Sequence, residues 1–172
     1  MMRMVRAFSV ALIALALKPL FAQDAAQSGF EGTWLRDEVI GKKGPLPRIT
    51  WTIKFDDKVI ALTETSESGS PTRTPTYNLD GSEASYRIRN LPPNRTKLVV
   101  RKDRLIQISE VMPSQDGNSM NISETWELLN RNTTLKVTRK FQISGPEGPL
   151  PIGLAGQVYS FSRVPSLDKA RQ

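Results

Sequence analysis

Ile122-Ser-Glu-Thr-Trp-Glu-Leu128 reads as a β-strand, because it mixes β-branched, aromatic and hydroxyl residues and holds no Gly or Pro. Alternate residues of a strand face the same way. Met120, Ile122, Trp126 and Leu128 therefore share an apolar face, and Glu124 stands in the middle of it. Beyond Asn130-Arg131-Asn132 the run Thr134–Ile143 repeats the pattern, with Arg139 as the odd member among Leu135, Val137, Phe141 and Ile143. If Leu128 faces Leu135, then Trp126 faces Val137, Ile122 faces Phe141, Met120 faces Ile143, and Glu124 faces Arg139. One register gives every apolar residue an apolar partner and sets the two misfits against each other. A slip of one residue would turn a whole stripe outward.

A lone carboxylate on a buried face is costly, or it takes up a proton. An opposed guanidinium offsets that cost, and its planar fork suits a carboxylate. Two roles fit such a pair. One is an internal ion pair that fixes the hairpin register. The other is a polar anchor in a ligand cavity, where a headgroup meets Arg139 or Glu124. A catalytic role is disfavoured, since no second acid, nucleophile or metal site accompanies the pair.

Working outward, ten strand-like runs follow one another closely: Phe30–Arg36, Arg48–Phe55, Lys58–Thr65, Arg73–Leu79, Ala84–Arg89, Thr96–Arg101, Arg104–Met112, Met120–Leu128, Thr134–Ile143 and Val158–Val164. No segment after the first residues keeps a helical period, so the fold class is all-β. Alternate connections are short, at Asp56-Asp57, Asp80-Gly81-Ser82, Lys102-Asp103 and Asn130-Arg131-Asn132. The others, such as Asp37–Pro47 and Ser144–Gln157, are longer. In an up-and-down meander this places tight turns at one end and long loops at the other. The expected architecture is an antiparallel β-barrel of about 8–10 strands, which also removes exposed edges. The Greek-key crossovers of an immunoglobulin-like sandwich would not give this alternation. Gly44-Pro-Leu-Pro47 and Gly148-Pro-Leu-Pro151 both fall in loops on the mouth side. They are either independently stiffened loops or a pair of lips with Leu46 and Leu150 as contacts.

The chain's 172 residues suffice for one domain. Residues 1–22 have the layout of a secretory signal peptide: Arg3 and Arg6, an apolar run Ala7–Leu17, and small Ala22 before the cut. Ala25 and Ala26 are alternative cleavage points. Lys18 and Pro19 interrupt the run well short of a ~20-residue membrane span. Residues 23–29 form a polar linker, 30–164 the barrel and 165–172 a polar tail. The expected localisation is secreted or periplasmic, with no transmembrane anchor after cleavage. The net charge of +7 falls to about +4 once Arg3, Arg6 and Lys18 leave. The absence of Cys and His excludes thiol catalysis, a Ser-His-Asp triad and Cys/His zinc sites. No cofactor, metal or enzymatic activity is expected. Arg87, Arg89, Arg95, Lys97, Arg101, Lys102 and Arg104 cluster around a single Asp103. They make either a solvated outer face or a surface weakly attracted to anionic envelope components. No aromatic-basic motif points to nucleic acid.

Other positions join the apolar face less firmly. Pairing across Asp56-Asp57 sets Ile53 against Ile60, Trp51 against Leu62 and Ile49 against Glu64, with Glu64 inward near the mouth. Glu110 shares a face with Ile106, Ile108 and Met112. A two-residue turn at Lys102-Asp103 would instead turn Glu110 outward, and only a bulge decides between the two. Asn94-Arg-Thr96, Asn121-Ile-Ser123 and Asn132-Thr-Thr134 are glycosylation acceptor motifs of a kind that arises by chance.

Phe30-Glu-Gly-Thr-Trp34, opening the first strand, resembles the Gly-x-Trp signature of the lipocalin and fatty-acid-binding (calycin) superfamily. Tyr77-Asn-Leu-Asp-Gly81, Glu124-Thr-Trp-Glu-Leu128, Leu135-Lys-Val-Thr-Arg139 and Tyr159-Ser-Phe-Ser-Arg163 resemble segments of small secreted lipocalin-like bacterial proteins. The resemblance implies an antiparallel barrel whose lumen holds a small apolar molecule. It also implies that Gly32 and Trp34 pack at the barrel base beneath Arg163 from the last strand. The lipocalin disulfides and the helix after the barrel are absent. Together these readings predict a small apolar or amphipathic ligand held by Trp51, Leu62, Glu64, Ile122, Glu124, Trp126, Val137, Arg139 and Phe141. The rival expectation is a filled barrel that acts as an envelope interaction or structural module through its basic face.

Overall fold

Strand-forming runs separated by tight turns become eleven strands in the computed structural model. It describes residues 29–40, 47–88, 91–102 and 104–165, with backbone alone at 151–155. The signal-like segment 1–22, most of the polar linker, Leu46 and the tail from 166 lie outside the described residues. The strands are β1 (Gly32–Val39), β2 (Thr50–Phe55), β3 (Val59–Thr65), β4 (Pro71–Arg73), β5 (Thr76–Asn78), β6 (Ala84–Tyr86), β7 (Asn94–Lys102), β8 (Leu105–Pro113), β9 (Ser119–Leu129), β10 (Thr134–Gly145) and β11 (Gly148–Arg163). They form one antiparallel sheet in the order β4-β3-β2-β1-β11-β10-β9-β8-β7-β6, with β5 also paired to β3. The first and last strands are therefore neighbours, and the sheet curls so that its two ends meet at β5 and β6. No ladder joins them there. The Thr96 hydroxyl of β7 reaches Thr76 O at 2.5 Å and Ala84 O at 3.3 Å across the seam.

The run Arg73–Leu79 divides into β4 and β5 because Pro75 has no N–H for a ladder. Both pieces pair with β3, so ten strand positions remain around the sheet. The β9–β10 register is the expected one throughout, from Leu128 opposite Leu135 to Met120 opposite Ile143, with Glu124 opposite Arg139.

Two other expectations are corrected. In β2–β3, Trp51 lies opposite Glu64, Ile53 opposite Leu62 and Phe55 opposite Ile60. Asp56 Oδ1 accepts the Lys58 N–H at 2.9 Å, and Asp56 N donates to Val59 O, so the turn forms at Asp57-Lys58, one residue later than expected. The pairing shifts by two, and the inward face is unchanged. The long loop expected over Ser144–Gln157 is instead a hairpin, with Gly145 opposite Gly148 and Ser144 opposite Pro149. The second Gly-Pro-Leu-Pro thus opens a strand rather than forming a loop lip. No helix among the described residues is long and apolar enough to cross a membrane.

The inward residues fill the barrel. Trp34, Trp51, Trp126, Tyr77 and Phe161 are all buried to 1% exposure or less, among Ile53, Ile60, Leu62, Ile106, Ile108, Leu135 and Val137. Trp126 meets Trp51 at 5.5 Å between ring centroids and Tyr77 edge-on at 5.8 Å. Burial of side chains of this size supplies the main drive for the sheet to close on itself.

At the base, the Arg163 guanidinium lies 4.3 Å from the Trp34 ring centroid and donates to the carbonyls of Gly29, Glu31 and Asn132. Trp34 Nε1 donates to Phe30 O at 2.9 Å. Gly32 has φ of +136°, and a Cβ there would stand 3.0 Å from Arg163 Nη1. The glycine of the Gly-x-Trp motif thus admits both the backbone turn and the arginine.

Candidate functional site

The bulge that decides Glu110 lies at Val99. Leu98 pairs with Ile108, Val100 with Gln107, and Thr96 with Glu110, and the ladder closes at Lys102 opposite Leu105. Glu110 therefore points inward and is 2% exposed. It joins Glu124 and Glu64 in a charged layer that the apolar strands hold above the base.

Arg73 organises this layer. Its Nε meets Glu64 Oε2 at 3.2 Å, its Nη1 meets Glu110 Oε2 at 3.1 Å, and its Nη2 meets Glu124 Oε1 at 3.1 Å. One guanidinium thus ties β4 to β3, β8 and β9 across the lumen. Arg139 adds Nε and Nη2 contacts to Glu124 Oε1 at 2.7 and 2.5 Å. The remaining carboxylate capacity is also filled. Trp126 Nε1 donates to Glu124 Oε2 at 2.8 Å, Trp51 Nε1 to Glu64 Oε2 at 2.9 Å, and Thr72 Oγ1 to Glu64 Oε1 at 2.9 Å. Glu110 Oε1 accepts from Asn94 Nδ2 at 3.0 Å and from the Tyr86 hydroxyl. Every carboxylate oxygen has a donor, which is the condition for burying such charge. Asn94 is 2% exposed, so this acceptor motif is closed to glycosylation in the folded chain.

Burial opposes the charge on Glu124. Arg73 first and Arg139 second outweigh it and hold the carboxyl below its ordinary range. Glu64 is likewise lowered: burial raises it, and Arg73, the hydrogen bonds from Trp51 and Thr72, and Arg139 together more than reverse that. Burial works against the Arg73 charge too, and Glu124 leads the groups that raise its pKa well above the ordinary value. Burial and then the Glu124 charge push the Tyr77 phenol well up, and the buried Tyr77 hydroxyl has no hydrogen-bond partner among the described residues.

Beside this layer lies a cavity of about 80 Å³, lined by Arg36, Ile49, Trp51, Glu64, Arg139, Tyr159 and Phe161. Tyr159 lies between two guanidiniums, Arg139 at 5.3 Å and Arg36 at 5.9 Å from its ring centroid. Arg36 Nη2 donates to Pro47 O at 2.5 Å, while its buried Nε has no partner among the described residues. The cavity thus combines aromatic walls with an unsatisfied donor.

Of the residues expected to hold a ligand, Trp51, Glu64 and Arg139 line this cavity. Glu124 and Trp126 stand behind it in the hydrogen-bonded layer, and Leu62 and Val137 belong to the apolar core. Ile122 and Phe141 lie instead along a depression of about 370 Å³ across β8, β9 and β10. Arg73 and Arg36 were not anticipated. Arg73 was legible, since Arg73, Pro75, Tyr77 and Leu79 alternate and Tyr77 is inward. Arg36 carried the same kind of signal, since it alternates with inward Trp34 and the β1–β11 ladder runs unbroken from Trp34 to Arg36.

No family model and no curated protein sequence matches the chain. Solved structures do. A secretary abundant heat soluble (SAHS) protein from Ramazzottius varieornatus matches with a TM-score of 0.58 at 10% identity, over 79% of this chain and 96% of that one. Apo lipid binding protein 8 of Caenorhabditis elegans matches with a TM-score of 0.56 at 13% identity, over 80% and 96%. The fold is that of the calycin β-barrels.

Proposed function

We propose that this calycin-fold chain is an exported, non-enzymatic binding protein that takes a small amphipathic molecule into the cavity beside the charged layer. The observation that carries this reading is the cavity itself, where Trp51, Tyr159 and Phe161 face Arg36, Glu64 and Arg139. An acceptor group on the ligand would satisfy Arg36 Nε, and the apolar part would lie on the rings. Export rests on the signal-like character of residues 1–22. The lipid binding protein among the structural neighbours adds support for a lumenal apolar ligand.

The volume sets a limit. About 80 Å³ is far below the ~300–1,000 Å³ of pockets that enclose drug-sized ligands, so a long acyl chain would need the interior to rearrange. That observation favours the second reading, a filled barrel in which the charged layer is purely structural. Native mass spectrometry of the protein purified from its own secretion route separates the two. An adduct of defined mass that is lost on denaturation, and lost in Arg36→Met, supports binding. A bare mass, with no uptake of an apolar fluorescent probe, sinks it.

A further inference from the structure

The outer wall made by β7 to β10 differs from the rest of the surface in charge and shape. Residues 94–145, which hold β7 to β10, carry nine Lys and Arg against five Asp and Glu, of which Glu110 and Glu124 are buried, whereas residues 30–80 carry seven against eight. The ladders align the outward residues in rows. One row runs Lys97, Ser109, Ser123, Lys140, and the next runs Arg95, Val111, Asn121, Gln142. Between them lies the row of Glu110, Ile122 and Phe141, whose side chains alternate to the inner face. The depression of about 370 Å³ follows this line and is bounded by both outward rows from β8 to β10.

The result is a trough running across the strands, with small neutral walls. Arg95 and Lys97 flank it at β7, and Lys140 flanks it at β10. Lys97 and Lys140 stand three strand spacings apart, about 14 Å at the usual ladder spacing. Neither lysine forms an ion pair with a described residue, and Arg95 has only a loose one, 3.7 Å to Glu83 with both side chains more than half exposed. Neither outward row contains a carboxylate, and Glu127 beyond them is occupied by Lys136 at 3.0 Å.

We propose that this trough binds an acidic polysaccharide laid across the strands. Its carboxylate or sulfate groups would meet Arg95, Lys97 and Lys140, and its hydroxyls would meet Ser109, Asn121 and Ser123. A linear polyanion matches two outward rows that carry cations at their β7 and β10 ends and hydroxyl and amide side chains between them, over a largely apolar floor. Single-stranded nucleic acid fits less well, because it uses exposed aromatic platforms for base stacking. Among the described residues the exposed large hydrophobic ones are Ile40, Leu91, Val99, Leu129 and Val164, none of them aromatic. The site is separate from the lumenal cavity and stands or falls independently of it.

The test is calorimetric titration of the mature chain with polygalacturonate and with heparin, with dextran and oligo(dT) in parallel. The expected result is binding to an acidic polysaccharide that weakens steeply with added salt, with none to dextran. K97E/K140E should lose at least tenfold in affinity, and K97Q/K140Q a smaller amount. Lys54→Glu, on an exposed position of β2, should change affinity less than twofold. Circular dichroism of each variant confirms that the sheet is intact. Three results would overturn the proposal: no polysaccharide binding at low salt, equal losses from the Lys54 and Lys97/Lys140 reversals, or tighter binding of oligo(dT) than of either polysaccharide.

Discussion

Two arginines close this barrel, and they are satisfied in opposite ways. Arg163 at the base stacks on Trp34 and donates to three backbone carbonyls, so its partners are neutral. Arg73 in the lumen donates to three carboxylates from three strands, so its partners are ions. Neutral carbonyls near a surface can accept water if the arginine leaves. Buried carboxylates cannot be left unpaired without a large penalty. The base is thus held by packing and geometry, while the lumen is held by a charge balance in which each member depends on the others.

The contrast predicts unequal costs. Arg73→Met should be the most damaging, since Arg139 alone would remain against Glu64, Glu110 and Glu124. A loss on the order of 3–5 kcal/mol is expected, read from urea unfolding followed by tryptophan fluorescence. A loss below about 1 kcal/mol would show that the layer repacks or hydrates freely. Arg163→Met should cost less, about 2–3 kcal/mol from its hydrogen bonds and its stacking on Trp34. If the order is reversed, the lumen is wetter than its 2%-exposed carboxylates imply.

Acid should sharpen the same comparison. Glu64 and Glu124 have lowered pKa values in the folded chain, so the unfolded chain binds protons more readily in that range. The stability they contribute is fully present above the ordinary carboxylate value of 4.5 and is lost as pH falls through their lowered folded values. Glu124→Gln should flatten this acid limb, as seen in unfolding midpoints measured across the pH range. Arg163→Met should leave the limb's shape unchanged, because the arginine's hydrogen-bond partners among the described residues are backbone carbonyls. Equal flattening in both variants would show that the acid limb does not come from the charged layer.

How far the site was legible follows from the same physics. The β9–β10 register could be read because its apolar stripe contains one acid and one base, and a single alignment pairs them. The β2–β3 register could not be read as well. Two candidate turns, Asp56-Asp57 and Asp57-Lys58, kept the same face inward, and the choice fell to one side-chain hydrogen bond from Asp56. The direction of Glu110 depended on a bulge at Val99, and nothing local to that residue announces a bulge. The hub at Arg73 was harder to read because, beyond Glu64 on the neighbouring strand, its partners lie 37 and 51 residues away, on strands that a meander does not place beside β4. Pair reasoning within a hairpin finds two charges; a third that crosses the lumen comes from how the sheet curls.

The smallest expected effect lies at the seam, where the two ends of the sheet meet without a ladder. Thr96 is 1% exposed, and its hydroxyl bridges the carbonyls of Thr76 on β5 and Ala84 on β6. Thr96→Val keeps the shape and removes the donor, so about 1 kcal/mol of stability should go. Local opening should rise by more than the global loss explains, because Arg73 would then be the main described polar link across the seam. Hydrogen exchange separates the two effects. Faster exchange confined to residues 71–78 and 84–88, with β9 and β10 unchanged, is the expected pattern. A uniform increase over all strands would mean that the seam opens only when the whole barrel does, and that the charged layer alone keeps its two sides together.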